Sequence, residues 1–479
     1  MIFSSYKFLF VFLPIVLLGY FILIKLKKQT ISKVWLALAS FYFYWQGSMS
    51  FFPFFVFSVL FNYLIGTSMK RIQGKNSVLF KRILLAVGLT ENILLLGYFK
   101  YTDFLIKNVN MLTGMDYALK GIVLPIGISF FTFQLIAFLV DSYRGKTKDY
   151  NFLNYLLFIT FFPQLIVGPI VHHGDIVPQF ENPEQPKFKV ENLMLAVFLF
   201  SIGCAKKLLL ADPLTSFAEG YFNNINVYGM YHFWHSWLGA ISYTVSYYFD
   251  LSGYADMAIG LGLLFNIKLP PNFNSPYKAR NFADYWRRWH MTLSKFLSDY
   301  VFRSVYRKGA GSLNFYLAVM VTFFVSGFWH GAGWTFVVWG LINGFFVVCA
   351  HFMERKGWKF PWLAAHLLTL LGVVATRILF VSKSFSDAAA VYKTMINIKV
   401  FNGVSIQGIM SSFTTTVTTH SVDLLILLAG ITVVYFPKNT TTISQEFKPS
   451  LRYAILAGIL LAVSIFWMGG VSRFLYFQF

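Results

Sequence analysis

Two histidines beside tryptophan, forty residues apart, are the residues of this chain best suited to chemistry: His290 in Asp284-Tyr285-Trp286-Arg287-Arg288-Trp289-His290 and His330 in Gly327-Phe328-Trp329-His330-Gly331-Ala332-Gly333-Trp334. A neutral imidazole with an ordinary pKa of about 6.5 can take a proton from a hydroxyl at physiological pH, as a general base must. The second motif lies within Gly309 to Met353, which holds no Asp, Glu, Lys or Arg and is long enough for about two bilayer spans. An ionisable group there is expected to be functional, because it is costly to keep in lipid. Gly327, Gly331 and Gly333 allow close backbone approach or a sharp turn around it. For both histidines, hydrogen-bonded packing within the core is the alternative.

From Phe282 to Tyr300, apolar side chains recur every three or four residues, which predicts an amphipathic helix carrying Trp286, Arg287 and Arg288. Lys278 to Lys308 holds eight basic residues against Asp284 and Asp299, suited to a polyphosphate ligand or equally to lipid headgroups. His172-His173-Gly174-Asp175 lacks the i,i+4 spacing of a helical zinc site, so no metal is expected. Glu91, Asp250 and Asp256 sit in apolar runs and read as polar links between helices. No phosphate loop and no GxSxG elbow is present, so a nucleophilic serine would have to come from a partner.

The elements that position these groups are membrane helices. Hydrophobic residues make up 57% of the 479, charged residues 12% and aromatics 20%, and the mean hydropathy is +0.60, which excludes a soluble globule. The net charge of +21 is spread through loops between apolar runs, as for cytoplasmic loops facing anionic lipid, and does not suggest nucleic acid. Cys204 and Cys349 provide neither a disulfide framework nor a thiol metal site. Apolar runs are legible at about 6–26, 34–47, 50–66, 83–99, 121–140, 152–171, 191–210, 233–250, 252–267, 313–330, 332–352, 363–381, 421–436 and 452–470. The first is expected to be retained, since Lys25, Lys27 and Lys28 follow it and no cleavage site is evident. Basic loops at 70–82, 144–148, 303–308 and 354–359 belong in the cytoplasm, which puts both termini outside. Prolines from 163 to 186 and Lys206-Lys207 suggest re-entrant segments, and 382–420 an external loop. One membrane domain, 1–479, with a final span and aromatic tail at 452–479, is the economical organisation.

Several stretches resemble the membrane-bound O-acyltransferase family, in its bacterial branch of alginate and peptidoglycan O-acetylation membrane proteins. They are Met1-Ile2-Phe3-Ser4-Ser5, Leu124-Pro125-Ile126-Gly127-Ile128-Ser129-Phe130, Phe162-Pro163-Gln164-Leu165-Ile166-Val167-Gly168-Pro169-Ile170, Phe249-Asp250-Leu251-Ser252-Gly253-Tyr254-Ala255-Asp256-Met257-Ala258, and both histidine motifs. The resemblance implies an all-α polytopic bundle with a central tunnel and re-entrant or amphipathic helices, acyl-CoA entering from the cytoplasm and an acceptor from the other side. It implies a catalytic role for His330 and a role in the tunnel for His290. Arg303-Ser304-Val305-Tyr306-Arg307 stands where relatives in the alginate branch carry Ile-Pro-Leu-Gly-Gly, which leaves the polysaccharide open.

The function expected is O-acetylation of a cell-envelope polysaccharide from cytoplasmic acetyl-CoA, at a bacterial inner membrane. Trp286, Arg287 and Arg288 would hold the donor, Asn343 would line the tunnel, and an extracytoplasmic SGNH-like transferase with a serine nucleophile would be the partner. Tyr476, in Arg473-Phe474-Leu475-Tyr476-Phe477-Gln478-Phe479, would relay the acetyl group, with an interfacial aromatic anchor as the alternative. The competing functions are D-alanyl-type transfer to teichoic acid and a transporter or flippase, although no inverted repeat is visible.

Overall fold

The computed structural model describes residues 1–74, 76–147, 150–166, 168–184, 187–223, 225 and 230–469, and every regular element among them is helical. In lipid, backbone polar groups are satisfied only within helices or closed barrels, and this chain takes the first course. Six helices are long and apolar enough to cross a bilayer: Phe8–Lys25, Met49–Arg71, Val190–Phe222, Gly311–His330, Trp334–Arg355 and Trp362–Val381. Ile406–Thr419 and Ser421–Tyr435, bent by 82°, add a seventh if they form one broken span. The protein is an all-α polytopic membrane protein.

The described residues fall into two compact units. One comprises 1–203, 254–271 and 447–469. Within it Glu91 accepts a hydrogen bond from Asn62 Nδ2 at 3.0 Å, and Asn92 Nδ2 donates to Asn62 Oδ1 at 2.7 Å, linking Met49–Arg71 to Ser77–Thr113. The expected run at 152–171 is not one span: Phe152–Thr160 ends and Phe162–Leu165 begins around Pro163, which suits the first turn of a helix and not its interior.

The other unit comprises 204–253 and 272–446 within the described residues. Two expectations are corrected by the helices that enter or make up this unit. The runs at 233–250 and 252–267 belong to a single helix, Met230–Leu264, because the polar Asp250 between them is neutralised rather than solvated. Lys207 Nζ lies 2.5 Å from Asp250 Oδ1 and 2.6 Å from Asp212 Oδ1, so Lys206-Lys207 does not interrupt its helix, which continues through a π-helical stretch, Lys206–Ala211. The stretch 382–420, expected as an external loop, holds the helices Phe385–Ile396 and Ile406–Thr419, capped by the Ser384 and Ser405 side chains.

Candidate active site

His330 is the last residue of Gly311–His330, and the chain turns through extended Gly331 and Gly333 into Trp334–Arg355. The two helices pack backbone to backbone. A Cβ at Gly327 would meet the Phe336 carbonyl oxygen, and one at Gly340 the Phe323 carbonyl oxygen, so only glycine permits this approach. The tight hairpin buries the imidazole, 5% exposed, in an aromatic box. The Trp339 and Phe380 rings stand nearly perpendicular to it, at centroid distances of 5.1 and 5.4 Å.

His290 sits where the expected amphipathic helix breaks. Phe282–Arg288 and Met291–Leu297 are separate helices, and His290 between them is left-handed at φ 45°, ψ 53°. A non-glycine residue held there stores strain that its surroundings must overcome. Asn272 supplies much of that constraint. Its backbone carbonyl accepts from Met291 N–H at 2.9 Å, and its Oδ1 accepts from Thr292 N–H at 3.3 Å and Thr292 Oγ1 at 2.9 Å. Those donors identify the amide oxygen, so His290 Nδ1, 3.2 Å from it, carries the proton and Nε2 keeps its lone pair. Burial pushes the His290 pKa down to about 3, so the ring is neutral throughout the physiological range.

A cavity of about 310 Å³ brings together two of the remaining expected residues. Trp286 and Arg287 line it together with Ser294, Ser298, Thr322 and Ser326. Thr322 and Ser326 belong to Gly311–His330, and His330 follows one turn beyond Ser326 on that helix without itself lining the cavity. Trp286 meets Trp339 edge-on at 5.8 Å, and Trp339 meets His330. Arg287 is exposed, whereas Arg288 is tied to Asp284 at 2.9 Å. The amide nitrogen of Asn343 is committed to the Trp339 carbonyl at 2.8 Å, so that residue supports the helix. Tyr476 lies outside the described residues.

The structure adds groups that the sequence reading missed. Asn272 follows Pro270-Pro271 in a segment without periodicity and gave no signal. Arg377, a lone charge in the 363–381 run, did give one. The histidine pair acquires an acid from upstream: His172 Nε2 and His173 Nε2 lie 2.7 and 3.1 Å from Asp141 Oδ2, and the three ligand atoms fall within 4.8 Å of one another. His172 Nδ1 accepts from Gly174 N–H, which leaves Nε2 protonated and donating to the carboxylate. In that state the cluster is a hydrogen-bonded set, and the Tyr150 hydroxyl holds His173 from its other side at 2.8 Å.

The family model for membrane-bound O-acyltransferases matches residues 28–381. A peptidoglycan O-acetyltransferase of Helicobacter pylori is 36% identical, over 100% of this chain and 98% of the relative. A probable alginate O-acetylase of Pseudomonas aeruginosa is 33% identical over 83% of this chain and 75% of its own length. A teichoic acid D-alanyltransferase of Bacillus subtilis is 28% identical over 52% of this chain and 65% of its own.

Proposed function

The chain belongs to the membrane-bound O-acyltransferase family, and from that premise we propose that it moves acetyl from cytoplasmic acetyl-CoA across a bacterial inner membrane for O-acetylation of peptidoglycan. It is an acyltransferase by family, and its similarity to the Helicobacter relative over the full length of both favours peptidoglycan over alginate. The observation that carries the chemistry is the placement of His330 one turn beyond the cavity-lining Ser326, joined through Trp339 to Trp286, which lines the same cavity. In this reading His330 takes the proton of the acceptor hydroxyl as its oxygen bonds to the thioester carbon, and returns it to the departing thiolate. Protein in vesicles, given labelled acetyl-CoA, should release CoA and transfer the label. Absence of both, with transfer from a D-alanyl carrier thioester instead, would overturn the donor assignment.

Arg287 is assigned to the CoA phosphates. Arg287→Gln is expected to raise the KM for acetyl-CoA about three- to tenfold and to flatten its salt dependence, since an exposed charge acts through a screened field. Arg288→Gln should stay within about twofold, because Asp284 already takes its charge. Equal effects of the two substitutions would refute the assignment.

Tyr476 is assigned as the first acceptor, with a serine transferase of SGNH type taking acetyl from it. A phenol of pKa about 10 loses its proton to an imidazole far more readily than a sugar hydroxyl does, and its ester is activated for onward transfer. Tyr476→Phe keeps the aromatic ring and removes the nucleophile. It should abolish both the acetyl adduct on the C-terminal peptide, read by mass spectrometry, and polysaccharide acetylation. Parent-level acetylation by this variant would leave the tail as an interfacial anchor.

A further inference from the structure

Arg377 lies inside the Trp362–Val381 span, only 4% exposed. Its guanidinium carbon stands 4.2 Å from the Tyr247 ring centroid and 5.1 Å from those of Trp289 and Phe380. Tyr247 and Tyr285 each stack with Trp289, at 5.9 and 5.6 Å. Aromatic faces attract a cation, but they supply neither a counter-charge nor an acceptor lone pair of full strength. Among the described residues no carboxylate pairs with Arg377, and Asp250, one turn beyond Tyr247, is taken by Lys207. Arg377 Nε and Trp286 Nε1 are buried donors that make no hydrogen bond of normal geometry, and the Tyr247 and Tyr285 hydroxyls stand within reach of the guanidinium.

Buried donors without acceptors are rare in native proteins and call for an explanation. The arginine and indole groups can only donate, and the Tyr247 and Tyr285 oxygens beside the guanidinium are neutral acceptors, so what the group lacks is a counter-charge, and the acceptor that supplies it should be an anion. Their position agrees with this. Phe380, which touches Arg377, packs against His330, and Trp289, which also touches it, is bonded in the chain to His290.

We propose that Arg377, together with the Tyr285 hydroxyl, stabilises the oxyanion formed on the acyl carbonyl during transfer, an inference that rests on the acyl-transfer reading above. The acceptor oxygen bonds to the carbonyl carbon while His330 takes its proton, and the π pair of the carbonyl moves onto oxygen. Collapse restores the double bond and expels the CoA thiolate, which receives the proton from the imidazolium. Arg377 keeps its own protons throughout, so its charge is in place before the reaction begins and needs no reorganisation.

The test compares the parent with Arg377→Gln, Arg377→Lys and Tyr285→Phe in vesicles, measuring CoA release from acetyl-CoA per folded molecule. Removing one such donor typically costs about 10²- to 10³-fold in kcat. Arg377→Gln should therefore lose about a hundredfold in kcat with KM for acetyl-CoA within about twofold, Tyr285→Phe should lose about tenfold, and Arg377→Lys should lie between parent and Gln. A folded Arg377→Gln within about threefold of parent kcat, or one that changes only KM, overturns the inference. If that variant fails to insert, Arg377→Lys decides: a fall of about tenfold or more in kcat at unchanged KM supports the donor role, and a parent-like kcat overturns it. A parent protein that releases no CoA overturns the acetyl-transfer reading and this inference with it, whereas an active parent beside an equally active Arg377→Gln overturns this inference alone.

Discussion

His330→Ala is expected to lower acetyl transfer by about 10²- to 10⁴-fold while the protein still reaches the membrane, because a positioned general base contributes that much and its side chain takes no part in spanning. The geometry sharpens the expectation. The imidazole lies one turn beyond the cavity-lining Ser326 and is held edge-on by Trp339 and Phe380, so its orientation is fixed before any substrate arrives. The donor phosphates are assigned to Arg287, on a different element, so the loss should fall on kcat and leave KM for acetyl-CoA nearly unchanged. His330→Gln, closer in volume and polarity, should be almost as inactive, which would separate proton transfer from simple packing. CoA release at within about threefold of the parent rate by either folded variant would remove His330 from the proton-transfer role.

What could be read from the sequence follows from what each signal measures. Hydropathy located the spans at 313–330, 332–352 and 363–381 within a few residues, because apolar length is what a bilayer selects. The same measure split Met230–Leu264 in two at Asp250, since it scores a carboxylate as exposed and cannot know that Lys207, forty-three residues earlier, neutralises it. Periodicity identified the apolar side of 282–300, and Trp286, Leu293 and Phe296 are indeed buried, but a left-handed residue leaves no mark on a pattern of residue types. The break at His290 therefore appeared only in the structure. Arg377 was visible as a single charge in an apolar run, yet its importance depends on Tyr247, Trp289 and Phe380 meeting around it, and those contacts join residues up to 130 positions apart. Asp141 and His172 were likewise too far apart in the chain for spacing to connect them.

Lys207→Met is expected to be the most destabilising single change outside the aromatic box, by about 3–5 kcal/mol, the usual cost of stranding a buried partner charge. The Lys207 and Asp250 side chains are 1% and 0% exposed, so neither can turn to water when the other is lost, whereas Asp212, at 23%, can. The diagnostic is the double variant. Lys207→Met with Asp250→Asn removes both charges, and it should recover at least half of the loss in a thermal or urea melt monitored by monodispersity in detergent. If Lys207→Met melts with the parent, or the double variant melts no later than the single, the pair is not the clamp described. The consequence for function follows from helix geometry. Asp250 lies one turn beyond Tyr247, whose ring faces Arg377, so the ion pair fixes the register of the turn that forms part of the arginine's cage. Activity per folded molecule should therefore fall in Lys207→Met and return in the double variant along with stability. A double variant that is stable but inactive would instead mean that the Lys207 charge acts on the reaction directly.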